Sequence, residues 1–308
     1  MPDFVHRPVL MAEVLEGLQP KPGGRFADGT LGGAGHAEAI LEMTSPIGWV
    51  FGCDRDGAAV EAAQKRLARF AGRFEIRRGN FAEMSEWIPA LSCDGVLLDL
   101  GVSSPQLDIA ERGFSFQNEG PLDMRMDARQ TLTAMELVNN AEAEELAKIF
   151  WEYGGERDSR RMARAIVHDR VQKKFGTTRQ LAELIERLSP RRGKAHPATK
   201  VFQALRIAVN DEIGSLKRGL DGALKILRSG GRLAVITFHS LEDRVVKDWA
   251  NERARDYTFP GEVDVPELRQ PRKPELKWVI RKAIKAGEAE LEENPRSRSA
   301  QLRVLEKI

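Results

Sequence analysis

The first hundred residues alternate between short apolar runs and helix-forming stretches, and that rhythm constrains the fold more than any other feature. RFAD (25–28), WVFGCD (49–54), FEIRR (74–78) and DGVLLDL (94–100) read as four strands. Between them, HAEAILEM (36–43) and GAAVEAAQKRLARF (57–70) are rich in good helix formers, the second with Val60, Ala63, Gln64 and Leu67 at helical spacing. DGVLLDL is apolar almost throughout, as a strand covered on both faces must be. Strands and helices alternating around such a centre predict a parallel, doubly wound sheet.

The rhythm breaks after about residue 107. From there to about 200 every periodic segment is helical. Leu146, Ile149, Phe150 and Tyr153 repeat at i, i+3, i+4, i+7. Leu181, Leu184, Ile185 and Leu188 do the same, behind a Thr177-x-x-Gln180 capping box and ahead of Pro190. The α/β pattern then resumes. A long helix is expected from about Val201 to Leu227, stopped by SGG (229–231), followed by the strand RLAVITF (232–238). Ser240-x-x-Asp243 reads as the cap of another helix, and the Pro- and charge-rich residues 261–275 as a loop. WVIRKAI (278–284) and SAQLRVLEK (299–307) are expected as two closing edge strands. The pattern therefore predicts a seven-stranded α/β domain built from residues 1–106 and 204–308, interrupted by an all-helical insertion over 107–203.

Charge narrows the partners only locally. With 48 Lys+Arg against 46 Asp+Glu, any basic surface must come from clustering rather than from net charge. Such clusters occur in the predicted insertion: residues 157–174 hold Arg157, Arg160, Arg161, Arg164, Arg170, Lys173 and Lys174 against Asp158 and Asp169. Arg191, Arg192, Lys194 and Lys200 surround His196. A phosphate-binding surface is the preferred reading of these cations over a solvated helix face. No apolar run approaches the ~18 residues that span a bilayer, and MPDFVHRPVLMAEVL has an acid at position 3 with no uninterrupted apolar run. Neither membrane association nor secretion is expected, and the compartment is expected to be the cytoplasm. The cysteines, Cys53 and Cys93, form no CxxC and no metal-ligand spacing, so no metal site is expected.

The loop after the first strand, Asp28-Gly29-Thr30-Leu31-Gly32-Gly33-Ala34-Gly35-His36, fits neither GxGxxG nor a phosphate loop. Its glycines still imply close approach of backbone to a ligand, with amides at a helix N-terminus suited to a carboxylate. Nineteen residues past Gly35, Asp54 ends the second strand, where an acid can accept both ribose hydroxyls of a nucleoside. A nucleoside cofactor without phosphates, S-adenosylmethionine, matches that combination. Phe81, just past the third strand, is either a neighbour of the adenine or a core aromatic. In LLDLGVSSPQLD (97–108), Asp99 ends the fourth strand, and Asp99 and Ser103 are candidate acceptors for a reacting amine. Ser103 and Ser104 read equally as turn chemistry before Pro105. Methylation at a ring carbon would need a cysteine nucleophile, and neither cysteine is placed for it. His239, after the fifth strand, is a candidate substrate contact, and Asp123 and Arg125 are weaker ones.

GTLGGAGHA, LLDLGVSSPQLDIAERGFSF, GPLDMRMD, HPATKVFQALRIAVNDE, GGRLAVITFHSLEDR and NPRSRSAQLRV together resemble the bacterial 16S ribosomal RNA cytosine-N4 methyltransferase family, of the MraW or RsmH type, over nearly the whole chain. The resemblance implies a class I, Rossmann-like S-adenosylmethionine-dependent methyltransferase with a helical insertion. It implies methyl transfer to N4 of one cytosine, position 1402 in standard 16S numbering, near the decoding P site of the small ribosomal subunit. Carried over position by position, Ala34, Gly35 and His36 would contact the methionine part of the cofactor and Asp54 the ribose. Phe81 and Asp99 would flank the adenine and the reacting end, and Gln106 would close the site. Arg160, Arg161, Arg164, His196 and His239 are the candidate RNA contacts. A homodimer is the assembly kept in view.

Overall fold

A computed structural model describes residues 8–189, 196–261 and 263–308. The chain forms two compact units, Met1–Gly101 with Ile213–Ile308, and Val102–Glu212. The sequence had placed these boundaries at 106/107 and 203/204.

The first unit opens with α1 (Met11–Leu18), β1 (Arg25–Asp28), α2 (Gly35–Met43), β2 (Trp49–Asp54), α3 (Gly57–Leu67), β3 (Phe74–Arg78) and β4 (Cys93–Asp99). β1 pairs in parallel with β2 and β4, and β2 with β3. Successive side chains of a strand face opposite ways. Val96 and Leu98 therefore enter one core, with Phe51 and Cys53, while Leu97 enters the other, with Phe26, Val50 and Ile40. This is why β4 tolerates almost nothing but apolar residues. Gly95 is fixed by the same packing, since a Cβ there would lie 2.6 Å from the Phe26 ring.

The second unit is helical: α4 (Ser104–Asp108), α5 (Ala134–Asn140), α6 (Ala143–Glu152), α7 (Ser159–Gln172), α8 (Thr178–Leu188) and α9 (Ala198–Asn210). Leu146 and Phe150 of α6 meet Met162 and Ile166 of α7 and Leu181 and Ile185 of α8 in one core. The Thr177–Gln180 capping box forms in both directions, Gln180 N donating to Thr177 Oγ1 at 3.3 Å and Thr177 N donating to Gln180 Oε1 at 3.3 Å. Asn210, 1% exposed, closes α9. Its Oδ1 accepts from Met126 N at 2.8 Å, and its Nδ2 donates to the carbonyls of Met124 and Arg206 at 2.8 and 2.9 Å.

The helix expected over 201–227 is two helices. Asp211 adopts a left-handed conformation, φ 45° and ψ 46°, which ends α9 before α10 (Glu212–Ile226) begins. Aspartate tolerates that region better than most residues, and apolar periodicity runs on through the break. SGG does not separate helix from strand as expected. β5 (Leu227–Thr237) begins before it, and the register jumps from Cys93↔Leu227 to Gly95↔Arg232. The extra residues bulge out to solvent, with Gly230 at φ 78°.

α11 (Ser240–Arg253) is capped one residue earlier than expected, by His239. His239 Nδ1 accepts from Glu242 N at 3.4 Å, while Glu242 Oε2 accepts from Phe238 N at 2.8 Å. Histidine and glutamate thus fill the roles assigned to Ser240 and Asp243. Two-residue strands β6 (Tyr257–Thr258) and β7 (Gln270–Pro271) pin the following loop. β8 (Leu276–Ile284), α12 (Glu288–Glu293) and β9 (Gln301–Lys307) complete the unit. The seven-stranded sheet runs β3-β2-β1-β4-β5-β9-β8. β9 is antiparallel to both neighbours, so β8 is an edge strand and β9 is not. Among the described residues, no helix is long and apolar enough to cross a membrane.

Replacing Asn210 with Ala should leave buried main-chain groups unsatisfied and cost the helical unit about 2–4 kcal/mol, read as a lower urea midpoint.

Candidate active site

The carboxyl ends of β1, β2 and β4 converge on the loop that follows β1. That loop is stitched to its neighbours by its own amides. Gly29 N donates to Leu97 O at 3.0 Å and Leu31 N to Cys53 O at 3.0 Å. Gly32 N donates to Asp54 Oδ2 at 2.8 Å. The glycines divide by function. A Cβ on Gly29 would lie 2.6 Å from Leu98 and one on Gly35 2.2 Å from Pro8, so both are demanded by packing. Gly32 sits at φ 48°, and a Cβ on Gly33 would meet nothing within 4 Å. The backbone at Gly32 and Gly33 is therefore the part that can be approached closely. Ala34, left-handed at φ 59°, leads into α2, whose first residues are Gly35 and His36.

Each strand brings an acid to this edge. Asp54 accepts Gly32 N on one oxygen and Asp56 N on the other, both at 2.8 Å, which leaves a further lone pair on each. Burial lifts its pKa, against the pull of those two amides. Asp99 is held by its own N–H, which donates to Thr30 Oγ1 at 2.6 Å. Its Oδ2 is 3.8 Å from His36 Nε2, and among the described residues its buried Oδ1 has no hydrogen-bond partner. Burial, and then the charges of Asp28 and Glu242, raise the Asp99 carboxyl well above the usual carboxylate range.

Asp28 and Thr30 were missed in the sequence. Asp28, 2% exposed, accepts Thr30 N at 3.1 Å, and burial raises its pKa to about 7. The signal was present: Asp28 ends β1 as Asp54 ends β2 and Asp99 ends β4. Glu242 was also missed, hidden because a His-Glu capping pair is not a usual helix start.

Other expected residues fall as follows. Phe81 is buried in the core, its ring against Gly219 and its Cβ beside Gly29, where an added Cβ would come within 2.3 and 2.9 Å. His239 Nε2 lies 3.1 Å from Glu242 Oε1, in the first unit. In the second unit, Gln106 Oε1 accepts from Ser103 N at 3.0 Å, so Ser103 and Gln106 form part of the start of α4. His196 stacks on Phe116 with centroids 4.6 Å apart, and its Nδ1 accepts Ala198 N at 3.1 Å. Asp123 and Arg125 form a bidentate pair at 2.8 and 2.7 Å.

Arg160 and Arg164 are exposed on α7, with Arg164 Nε donating to Arg160 O at 3.2 Å. Arg161 donates to Leu188 O, the last residue of α8, and to Asp158 at 3.2 Å. Arg170 donates to Val138 O and Ala141 O, at the end of α5, at 3.0 and 2.6 Å. These two arginines cap helix C-termini. Arg191, Arg192 and Lys194 lie outside the described residues.

A family model described as the MraW methylase family matches residues 3–308. The chain belongs to the MraW methylase family. Among its relatives, the ribosomal RNA small subunit methyltransferase H of Geobacter sulfurreducens is 53% identical over 311 residues, which cover 99% of each chain. The protein of that name from Syntrophotalea carbinolica is 50% identical over 311 residues, 99% of this chain and 98% of its own. That from Symbiobacterium thermophilum is 49% identical over 311, 99% and 97%. As an MraW-family methylase, the chain is a class I methyltransferase whose methyl donor is S-adenosylmethionine. The donor set fits that group: Asp54 has lone pairs for two hydroxyls, and the Gly32–Gly33 backbone is open to approach.

The raised Asp28 carboxyl makes the fold pH-dependent. A carboxyl that binds its proton more tightly folded than unfolded adds stability below its ordinary pKa of 3.8, lost as pH rises to about 7. Asp28→Asn should therefore stabilise the protein more at pH 8 than at pH 5 relative to the parent, as measured by urea unfolding at the two pH values.

Proposed function

We propose that this methylase transfers a methyl group to the exocyclic N4 of a cytosine in 16S rRNA of the small ribosomal subunit, at position 1402 near the decoding P site. The substrate class is supported by the relatives at about half identity, which are named for small-subunit ribosomal RNA. The observation that carries the chemistry is the Asp99 carboxyl, buried at the end of β4 with one oxygen unpartnered among the described residues.

Bound S-adenosylmethionine supplies an electrophilic methyl on a sulfonium, so the protein's task is alignment rather than covalent catalysis. In this reading Asp54 holds the ribose hydroxyls. The amides from Gly32 to His36, at the start of α2, hold the methionine carboxylate. Asp99 accepts a hydrogen bond from the cytosine amine at Oδ1, which aims the nitrogen and stabilises the charge that grows on it. The burial that raises the Asp99 pKa also makes it a better acceptor for the proton that leaves N4. Phe81, whose Cβ packs beside Gly29, would flank the adenine, and Gln106 and Ser103 belong to the segment that follows Asp99. Neither cysteine suits attack on a ring carbon. Burial pushes the Cys53 thiol far up and the Cys93 thiol to about 11, so neither supplies a thiolate near neutral pH. That favours transfer to nitrogen.

Purified protein incubated with labelled S-adenosylmethionine and unmethylated small subunits or 16S rRNA should place the label on N4 of one cytosine, mapped by nuclease digestion and mass spectrometry. Absence of transfer to either substrate, or label on adenine, overturns the reading. Asp99→Ala should lower the single-turnover rate by about 10²-fold or more; near-normal turnover removes Asp99 from the mechanism.

A further inference from the structure

We propose that a groove between the C-terminal end of α7 and α8 grips the sugar–phosphate backbone of the RNA substrate through Lys173 and Lys174. The proposal rests on the substrate being RNA. It narrows the grip to the end of the basic run 157–174, past the Arg160, Arg161 and Arg164 candidates.

The groove has a volume of about 270 Å³ and is lined by Asp169, Lys173, Lys174, Phe175, Leu184 and Arg187, among others. Its one lining acid is already spoken for. Asp169 accepts Arg187 Nη2 at 2.9 Å and pairs with His168 Nδ1 at 3.0 Å. Those partners hold its carboxyl below the usual range, so it stays an anion committed to them. Lys173 and Lys174, exposed just past the last turn of α7, have no ion-pair partner among the described residues. The groove therefore presents two uncompensated ammonium groups above an apolar floor, along which their stems can lie.

That floor decides what the groove can read. Phe175 is 6% and Leu184 4% exposed, so neither offers a face for a base to stack on. What remains is charge without a base-reading edge, which matches phosphates and carries no sequence information. A protein partner is the poorer match, because interface cores are depleted in lysine and anchored by exposed aromatic residues. The neighbouring arginines are less available. Arg161 and Arg170 are held by carbonyls at the ends of α8 and α5, and withdrawing them would uncap those helices.

The test replaces Lys173 and Lys174 together with Ala and measures binding to unmethylated small subunits at several salt concentrations. Each lost phosphate contact removes about 0.7–0.9 from the slope of log affinity against log salt, so the double variant should lose about 1.4–1.8. KM for the RNA substrate should rise while kcat and donor affinity stay unchanged. Both lysines are exposed, so an unchanged melting temperature certifies the fold. An unchanged salt slope overturns the proposal.

A second measurement separates RNA from protein. Both native cysteines are buried, so Gln172→Cys can be labelled selectively with a benzophenone at the groove. Irradiation on small subunits should give an adduct with 16S rRNA. An adduct with ribosomal protein and none with RNA overturns the proposal. Failure of the underlying reading looks different: the parent protein itself then transfers no methyl group to ribosomal RNA.

Discussion

The hydrogen bond from Asp99 N to Thr30 Oγ1 joins the end of β4 to the loop after β1, and the site depends on it. Three strands each deliver a carboxyl group, Asp28, Asp54 and Asp99, to one desolvated edge of the sheet. Burying acids together is costly unless each is protonated or held by donors. The β1 loop meets part of that cost with backbone amides, at Asp28 and Asp54. Asp99 has no such donor on Oδ1 among the described residues, and burial, with the charges of Asp28 and Glu242, raises its proton affinity. The loop is thus a scaffold for carboxyl groups as much as a surface for a ligand.

Strands β1 to β4 were legible in the sequence because they are short segments alternating with helix-forming stretches, three of them ending in an acid. β1, β2 and β3 fall on the residues read as strands, and β4 is shifted by one. Two kinds of feature escaped. The first is backbone geometry without a periodic signature, such as the left-handed Asp211 that splits α9 from α10. The second is spatial order: nothing in SAQLRVLEK says that it slots between β5 and β8 rather than at the rim. In the site, Asp54 and Asp99 were read from their places at strand ends, whereas Thr30 was hidden inside a motif whose glycines drew the interpretation.

The helical unit shows that cations adjacent in sequence take different roles in the fold. Arg161 and Arg170 belong to the same basic run as Lys173 and Lys174, yet their guanidinium groups are turned onto the carbonyl ends of neighbouring helices. Arginine's fork of donors suits that task. The division between arginines that hold the bundle and lysines left to solvent emerges only when partners are known.

The placement of the helical unit between β4 and β5 also bears on how the chain acquires its shape. These strands are hydrogen-bonded neighbours, from Gly95↔Arg232 to Asp99↔Ile236, but more than a hundred residues separate them. Closing so long a loop is slow, and parallel pairing gives no local nucleus to start from. Val102–Glu212 has its own core and largely local helical contacts, so it can collapse while β5 is still searching. Once it has done so, the connection behaves as a compact tether instead of a long floppy one. A compact insertion leaves less chain to close before β5 reaches β4, and the acid at the end of that strand pair comes into place with it.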